Sequence, residues 1–558
     1  MRATNMKKAI SKTRLLLAPV VAMVLLLTVA AHAAAPGITG STFNLTAAPA
    51  YLNQPDGQAI YSWGYGCTAP PATSAFRPAL NPAVATPVCN TMQVPGPTLI
   101  VQAPASGTTT VTVNLTNGLP TAAGNTSILF PGFAVATAGG VAGLLTQEAA
   151  PGGSVTYTVT IPSTAAGTHA YYSGTQGDLQ VEMGLYGAII VLPNAIPAAC
   201  TTGVHASNRT AETFWGEADF RLAAAAYNHP QACYDREYLF QFSEMDPNIH
   251  AQALAQVTAR AGCVVTAFTC HLEVPTEPYH PAYFMINGRS MPDDMDPNYA
   301  TEYPHQPYNG NPHMHPGELT LIRVIGQGRW QHPFHEHGNH VRILGRDGNL
   351  ILSQTDPNSL AGPLLFTTTT TPGLAFDGIF YWTGKGLNWD AYAHNPLSND
   401  PAATLSCTAD ANGYNTGAPT AINYYEWCQD HNKPLQVNPF GDVASGGPMT
   451  LPDANILTNG AWYGGSPYLG PNATTRATGC LGTFNATTNP QGNGPNCGIT
   501  GSTPPSGTIA NSPSGEAGFA FMWHSHNERE ITTNNIFPGG MLMMMLVDSR
   551  EFQIDESN

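Results

Sequence analysis

The sequence predicts an all-β fold of the sandwich kind, and three observations carry that prediction. Glycine and proline are abundant, at 56 and 48 of 558 residues, and only 10% of the residues are charged. Short apolar runs alternate with turn clusters, and several runs place polar and apolar residues at alternate positions, as a half-buried strand requires. Few amphipathic stretches favour a helix, and residues 249–261 are the clearest of them. The pattern is typical of packed β-sheets.

The first block of strand candidates spans residues 36–195. Alternation with a period of two is clearest at residues 109–115 and 154–160, where polar residues, mostly Thr, alternate with Val, Leu or Tyr. Side chains at alternate positions of a strand point to opposite faces of the sheet. The apolar run at residues 184–191 closes the block. We therefore expect a first β-sandwich domain over this range.

A connecting region at residues 196–275 leads to a second block at residues 276–550. Residues 318–325 are its clearest strand candidate. Between about 395 and 515 the chain becomes rich in Gly, Asn and Thr, which is typical of surface loops rather than of a third domain. The second domain is therefore expected to carry a long loop insertion.

The ten cysteines predict disulfide bonds, since their number is even and no Cys-x-x-Cys pair occurs. Sequential pairing is the simplest arrangement because each bond would close a local loop, although the sequence leaves the connectivity open. Four of the ten lie in the insertion, so its loops are expected to be cross-linked by disulfide bonds. In order they are Cys67, Cys89, Cys200, Cys233, Cys263, Cys270, Cys407, Cys428, Cys480 and Cys497.

Residues 1–33 have the pattern of a secretory signal peptide. A basic start is followed by the apolar run Leu15–Val29 and by Ala31–Ala33, a small-residue cleavage site. A membrane anchor is the alternative, but the run is shorter than the roughly 20 residues that a spanning helix needs. No later segment is long and apolar enough to cross a membrane. We expect export to the periplasm or the extracellular space.

The formal net charge is −16 and becomes more negative once the basic N-terminus is removed. Nucleic-acid binding needs a basic surface, so the composition argues against it. An acidic surface is compatible with cationic partners or metal ions, and also with simple solubility.

Two His-x-His pairs, His335 with His337 and His524 with His526, lie in otherwise apolar stretches. Residues two apart on a strand point to the same side. Two such pairs on neighbouring strands would bring four imidazoles around one ion, and both copper and zinc accept that set of donors. The less specific alternative is that the histidines line a loop.

The segment His332–Leu344 resembles the third copper segment of multicopper oxidases, and Trp523–Met545 resembles the fourth. Met92–Leu99 is similar to the opening strand of that family's first domain. The resemblance implies two cupredoxin-like Greek-key β-sandwich domains and copper as the cofactor. It also adds His332, which stands where the family has a ligand of its mononuclear blue-copper site.

The first block departs from the family pattern at all four positions where the resemblance places histidines. Those positions hold Leu129, Pro131, Tyr172 and Gly174. His169 is offset by three residues and is interpreted as an ordinary strand residue. The resemblance therefore implies that an apolar wall, rather than imidazoles, faces the histidines of the second block.

The blue-copper segment also departs from the pattern. Ser525 stands where the resemblance places the cysteine, and no histidine follows His526. Ungapped counting puts Glu530 at the position of the missing histidine. Glu336, Glu528 and Glu530 are candidates for supporting groups or additional ligands.

Three further motifs have structural explanations. His313 and His315, in a proline-rich loop, are interpreted as solvated rather than as a copper-loading site. His340 follows the third segment but is not a ligand in the family's register. The methionines at 541–545 have strand spacing and are expected to fill the sandwich core.

Together these features predict an exported, multicopper-oxidase-like, copper-binding oxidoreductase with a reduced metal site. It would hold a single ion, with zinc not excluded, and act on a small molecule or on a metal ion such as Mn(II). The alternatives are a non-catalytic metal-binding or structural cupredoxin protein, and a mononuclear zinc or copper enzyme with Glu528 or Glu530 as general base. By analogy with two-domain relatives, a homo-oligomer is compatible with each of these.

The copper-loaded protein should show no intense thiolate-to-copper absorption, because Ser525 cannot supply the thiolate that a blue centre needs. Ser525→Cys alone should not restore the band, since no histidine follows His526. Visible spectra of the copper-loaded wild type and variant test this. A strong band in the wild type would show that the segment has been misaligned.

Overall fold

The computed structural model describes residues 35–383, 407–428, 465–469 and 517–556, apart from short gaps at 83, 86–87, 264–269, 422–423, 426, 549 and 551–552. The predicted signal peptide and most of the predicted insertion lie outside these residues. Within them the fold is all-β, as predicted, with four large sheets and few helices.

The N-terminal half contains two five-stranded sheets, ordered β11-β12-β5-β1-β4 and β3-β2-β6-β10-β7. Its strands are β1 (Gly37–Thr39), β2 (Thr42–Asn53), β3 (Ala59–Cys67), β4 (Phe76–Arg77), β5 (Leu99–Gln102), β6 (Thr108–Asn117), β7 (Ala134–Gly139), β8 (Val141–Ala142), β9 (Gln147–Glu148), β10 (Ser154–Pro162), β11 (Gly167–Tyr172) and β12 (Tyr186–Leu192).

The second half contains a larger pair of sheets, ordered β14-β13-β16-β22-β18-β19 and β15-β25-β24-β17-β21, with β20 pairing β18 and β23 pairing β24. Its strands are β13 (Arg236–Met245), β14 (Tyr283–Ile286), β15 (His313–Met314), β16 (Leu319–Gly326), β17 (His332–Glu336), β18 (Val341–Arg346), β19 (Asn349–Leu350), β20 (Leu364–Leu365), β21 (Thr367–Thr370), β22 (Ala375–Tyr381), β23 (Gly465–Leu469), β24 (Ala517–Ser525) and β25 (Leu542–Asp548).

The period-two runs form strands because one face of each is buried. Val113 and Leu115 of β6 are fully buried, and β10 pairs with them in a register that sets Tyr157 opposite Val113. Thr112, Asn114 and Thr116, which alternate with them, lie on the other, partly exposed face. The alternation seen in the sequence therefore reports the inner and outer faces of this sheet.

The α-helices of the described residues are α1 (Gly177–Gln180), α2 (Gly203–Trp215) and α3 (Pro247–Ala259). Helix α3 confirms the helix predicted near residues 249–261. Its start is set by Asp246, whose side chain accepts a hydrogen bond of 2.9 Å from the backbone N–H of Asn248, and by Pro247 at the first position. In the part of the chain that the structure describes, no helix is long and apolar enough to cross a membrane.

A buried polar cluster joins the two halves. Arg323 of β16 pairs with Glu237 at 2.9 Å and with Asp377 at 3.4 Å. Asp377 also accepts hydrogen bonds from Tyr227 and from Thr168 of β11, each 2.6 Å long. Because Thr168 belongs to the first half and Asp377 to the second, these bonds fix the two halves against each other.

Four disulfides follow the predicted sequential pairing: Cys67–Cys89, Cys200–Cys233, Cys263–Cys270 and Cys407–Cys428. The remaining two cysteines, Cys480 and Cys497, lie outside the described residues. The predicted packing of the methionines is also confirmed, since Met541, Met543 and Met545 are fully buried in the core of the second half.

Leu115→Ala should lower the free energy of unfolding by about 2–5 kcal/mol, because it leaves a cavity in the core of the first half. Leu144→Ala is the matched control, since Leu144 is 91% exposed and its truncation should cost less than about 0.5 kcal/mol. Urea unfolding of the disulfide-intact protein measures both. Equal effects would contradict the packing described for β6.

Candidate metal centre

The candidate site is built on the antiparallel pairing of β17 with β24. The register sets Phe334 opposite Ser525 and His335 opposite His524. Alternate side chains point to opposite faces of the sheet. Phe334 and Trp523 therefore lie on the core face, where both are fully buried. His335 and His524 lie on the outer face, and their sequence partners two residues further on lie on the same side.

The four imidazoles of the two His-x-His pairs form a cluster. The ring of His335 lies 4.8 Å from that of His337, 5.6 Å from that of His524 and 4.9 Å from that of His526, measured between centroids. The ring of His524 lies 5.2 Å from that of His337 and 5.7 Å from that of His526. We call these four side chains the histidine cluster.

One contact within the histidine cluster has the spacing of two ligands of one ion. The Nε2 atoms of His524 and His337 are 3.3 Å apart. A tetrahedral ion with bonds of about 2.0–2.1 Å would hold its ligating nitrogens roughly 3.3–3.4 Å apart. Among the described residues, no group of three or more His, Cys, Asp or Glu side chains is placed to hold a metal ion. The histidine cluster supplies four nitrogen donors, and its rings must move before they can share an ion.

The surroundings keep the donor atoms in the form that binds metals. The Nδ1 of His524 donates a hydrogen bond of 2.7 Å to the carbonyl of Ser525, which leaves the lone pair on Nε2. Burial and the neighbouring His337 lower the pKa of His335 to about 4. Burial also lowers the pKa of His524. Both rings are therefore neutral at pH 7, as metal ligands must be.

The groups around the histidine cluster come from the second half of the chain. Nδ1 of His335 lies 2.7 Å from the hydroxyl of Thr367 on β21, and the Phe366 ring lies 5.8 Å from the His335 ring. Leu129, Tyr172 and Gly174, which were expected to face the histidine cluster, line a cavity whose lining includes none of the four histidines.

His332 lies on the opposite, core face of β17, where its imidazole stands between two carboxylates. Its Nδ1 donates to Glu530 at 2.8 Å, and its Nε2 donates to Glu244 at 2.9 Å. Burial alone would lower the pKa of His332, but the two hydrogen-bonded carboxylates outweigh it and raise that pKa to about 9. An imidazolium with both N–H groups donating has no lone pair for a metal ion.

Ser525 and Glu530 complete this buried group. The Ser525 hydroxyl donates to the same Glu530 oxygen that accepts from His332. The three positions that the family resemblance assigns to the blue-copper site, 332, 525 and 530, therefore do converge. They form a hydrogen-bonded cluster, which we call the Glu–His–Glu cluster, instead of presenting two imidazoles and a thiolate.

The sequence did not identify Glu244, which supplies the other carboxylate. It lies near the end of β13, is 2% exposed, and accepts backbone N–H groups of Arg329 at 2.6 Å and Trp330 at 2.8 Å. Gly328 is needed beside it, since a Cβ there would collide with the Glu244 carboxylate. A charged residue within the apolar run of β13 was the only signal in the sequence.

The other sequence candidates lie away from the histidine cluster. Glu336 is buried on the core face of β17, where it accepts a hydrogen bond of 2.7 Å from Thr368. Glu528 is exposed. His169 is a strand residue of β11, as expected, and Nε2 of its ring lies 2.9 Å from the carbonyl of Ala165.

His313 and His315 are buried, not solvated, and the prediction of a solvated loop was wrong. His313 pairs with Asp548 at 2.6 Å, and His315 pairs with Glu217 at 2.7 Å. Each is 1% exposed. The two histidines bind the strand β15 to the C-terminal segment and to the loop after α2, which no local sequence pattern indicates.

One family model matches part of the first half of the chain. Residues 77–195 match the family model described as multicopper oxidase. No match is found among curated proteins. The chain is similar to a solved multicopper oxidase, mgLAC, with 14% identity and a TM-score of 0.41 over 91% of this chain and 85% of the other.

Two further solved structures are similar over a smaller part of this chain. They are the blue copper oxidase from Nitrosomonas europaea, with 17% identity, a TM-score of 0.37 and coverage of 61% of this chain and 74% of the other, and the laccase from Botrytis aclada, with 18% identity, a TM-score of 0.35 and coverage of 62% and 47%.

The Glu–His–Glu cluster predicts a pH-dependent stability. An unfolded histidine has a pKa near 6.5, whereas that of His332 is raised to about 9. The stabilisation is therefore complete below about pH 6.5 and is lost as the pH rises through about 9, amounting to about 3 kcal/mol. Glu530→Gln should shrink this loss, because a neutral amide supports the imidazolium less.

Urea unfolding between about pH 6 and pH 9.5 measures the effect. Glu528→Gln is the matched control, since Glu528 is exposed two residues earlier and should leave the profile unchanged. A Glu530→Gln profile that follows the wild type over this range would contradict a charged His332.

Proposed function

We propose that this protein, whose residues 77–195 match a multicopper oxidase domain, is an exported copper-binding oxidoreductase with one ion at the histidine cluster. The observation that carries the proposal is the set of four imidazoles with ring centroids 4.8–5.7 Å apart. Four nitrogen donors suit copper, and zinc is the competing ion. The signal-peptide pattern of residues 1–33 supports export.

A single ion fits better than a cluster of several. The first half offers Leu129, Tyr172 and Gly174 rather than imidazoles, and these residues line a different cavity. The blue-copper positions are occupied by an ion-paired histidine, a serine and a carboxylate. Neither the residues at 129, 172 and 174 nor those at 332, 525 and 530 are the ligands with which the family's own sites hold copper.

Copper bound at the cluster would supply one-electron acceptance. The chain's residues would set its geometry: the carbonyl of Ser525 orients His524, and the Thr367 hydroxyl contacts His335. Ser525 stands at the position of the thiolate, and positions 129, 131, 172 and 174 hold no histidine, so transfer of one electron at a time from a small reductant is favoured. His526 is exposed, which gives such a reductant access to the edge of the site.

A metal-ion reductant such as Mn(II) is compatible with the charge of the protein. The formal net charge of −16 raises the local concentration of cations near the surface. A neutral or cationic reductant is therefore favoured over an anionic one, and raising the ionic strength should weaken the preference.

A second candidate function is metal binding without turnover. Four protein ligands fill a tetrahedral site, and closed sites of this kind are typical of structural metal ions, whereas catalytic sites keep one position open. The exposed His526 is the ligand whose displacement would open such a site. An external ligand such as azide distinguishes the two candidates, since only an open or opening site responds to it.

His335→Ala combined with His524→Ala should abolish tight copper binding, because it removes one ligand from each strand. Wild type purified without added metal and then titrated with Cu(II) should bind one equivalent. His340→Ala is the matched control: its ring contacts Phe366 at 5.1 Å in the same region but is not in the histidine cluster. Stoichiometric copper in the double variant would place the site elsewhere.

Turnover is tested separately by electron paramagnetic resonance of the Cu(II)-loaded protein without oxygen. One equivalent of hydroquinone, a neutral reductant, should remove the signal if the site accepts an electron, and azide should shift the spectrum. A signal that resists both reagents in a protein that binds one copper would support the non-catalytic candidate.

A further inference from the structure

Residues 553–556 lie against the second half of the chain as a short segment that follows β25. Ile554 is fully buried and Glu556 is 2% exposed. The backbone N–H of Ile554 donates to Oε1 of Glu217, in the loop after α2, at 3.1 Å. The segment is therefore held by buried side chains and by this hydrogen bond, although it is neither a strand nor a helix.

Glu556 enters a buried cluster of charges in which the closest ion pairs are already balanced. Arg236 of β13 pairs with Glu217 and with Glu318, each at 2.5 Å. Arg550 lies 3.7 Å from Glu318. Glu556 is a third carboxyl group beside Arg236, at 3.7 Å. Two guanidinium groups thus face three carboxyl groups, and crowding of carboxylates favours the protonated form of one of them.

The hydroxyl of Tyr238 indicates which carboxyl group holds the proton. It lies 2.5 Å from the carbonyl oxygen of His313, accepts the backbone N–H of His313 at 2.9 Å, and contacts Oε1 of Glu556. A tyrosine hydroxyl can donate one hydrogen bond and can also accept, whereas the carbonyl can only accept. When the hydroxyl donates to the carbonyl, Glu556 must be the donor in the remaining contact, which requires the neutral acid.

The electrostatic surroundings agree with a neutral Glu556. Burial raises the pKa of its carboxyl group to about 8 against the opposing effects of Arg236 and Tyr238, and Glu217 and Glu318 add to the rise. Burial also raises the pKa of Tyr238, which keeps its hydroxyl protonated. The other ionisable groups packed around the cluster are His313, His315, Asp548 and Arg550.

We propose that Glu556 is a pH-dependent switch: as a neutral acid it donates to Tyr238 and holds residues 553–556 in place, and loss of its proton to solvent releases the segment. The ionised carboxylate would leave Tyr238 between two acceptors with a single proton. It would also add a third negative charge beside Arg236 and Arg550. The switch goes beyond the proposed metal chemistry and does not depend on it.

The direction of the pH dependence follows from two pKa values. A glutamate in the released segment has its ordinary pKa of about 4.3, whereas the pKa of the docked Glu556 is about 8. The docked form binds the proton more tightly, so docking is strongest below about pH 4.3. It weakens by about tenfold per pH unit as the pH rises, and the loss is complete above about pH 8.

Hydrogen exchange of the Ile554 backbone N–H in the full chain measures the release, because docking pairs this group with Glu217. After correction for the intrinsic pH dependence of exchange, its protection in the wild type should fall by about a hundredfold between pH 6 and pH 9. Glu556→Gln should show no such fall, since the amide is neutral at every pH and its N–H can donate to Tyr238.

Asp555→Asn is the matched control. It removes the same charge one residue earlier, where the side chain is half-buried, and it should keep the fall seen in the wild type. Groups elsewhere that titrate over this range, such as His332, are present in all three proteins and cancel in the comparison.

Two results would overturn the proposal: protection in the wild type that does not change with pH, and a Glu556→Gln variant that loses protection as the wild type does. Glutamine has the shape and the neutrality of the protonated acid. A Glu556→Gln variant that does not fold would therefore also contradict a neutral Glu556.

Discussion

The pairing register between β17 and β24 is the constraint on which the chemistry of this protein depends. With His335 opposite His524, the odd positions of one strand and the even positions of the other share the outer face. A slip of one residue in either strand would exchange the two faces of that strand. It would turn two of the imidazoles inward and would move Phe334 or Trp523 out of the core of the second half. The apolar core thus holds the histidine cluster at the surface.

The same register explains how the core tolerates a charged group below the sheet. His332, Ser525 and Glu530 point inward, and Glu244 reaches them from β13. Breaking such a group by removing one partner is expected to cost several kcal/mol, because a charge is then left buried without a counter-charge. The mutual satisfaction of these side chains stabilises the fold, and it also occupies the position at which the family resemblance predicts a copper ion.

The structure therefore separates two functions that one sheet could serve. Its outer face carries the four imidazoles of the histidine cluster, and its inner face carries His332 between two carboxylates. A further cavity lies between the two halves, and its lining includes Gln327 and Arg329 but no histidine. The two clusters share β17 and β24 but lie on opposite faces of the sheet, and Arg329 of the cavity lining donates its backbone N–H to Glu244.

The sequence by itself determined the sheet-rich fold, the helix near residue 250, the sequential disulfides and the grouping of the two His-x-His pairs. Each of these follows from local periodicity or spacing: alternation reports the faces of a strand, and residues two apart share a side. The protonation of His332, the burial of His313 and His315, and the role of Glu244 were decided only by the tertiary structure. Their partners are distant in sequence, as Glu244 is from His332 and Asp548 from His313, and a charge is paired or solvated according to which distant strand packs against it.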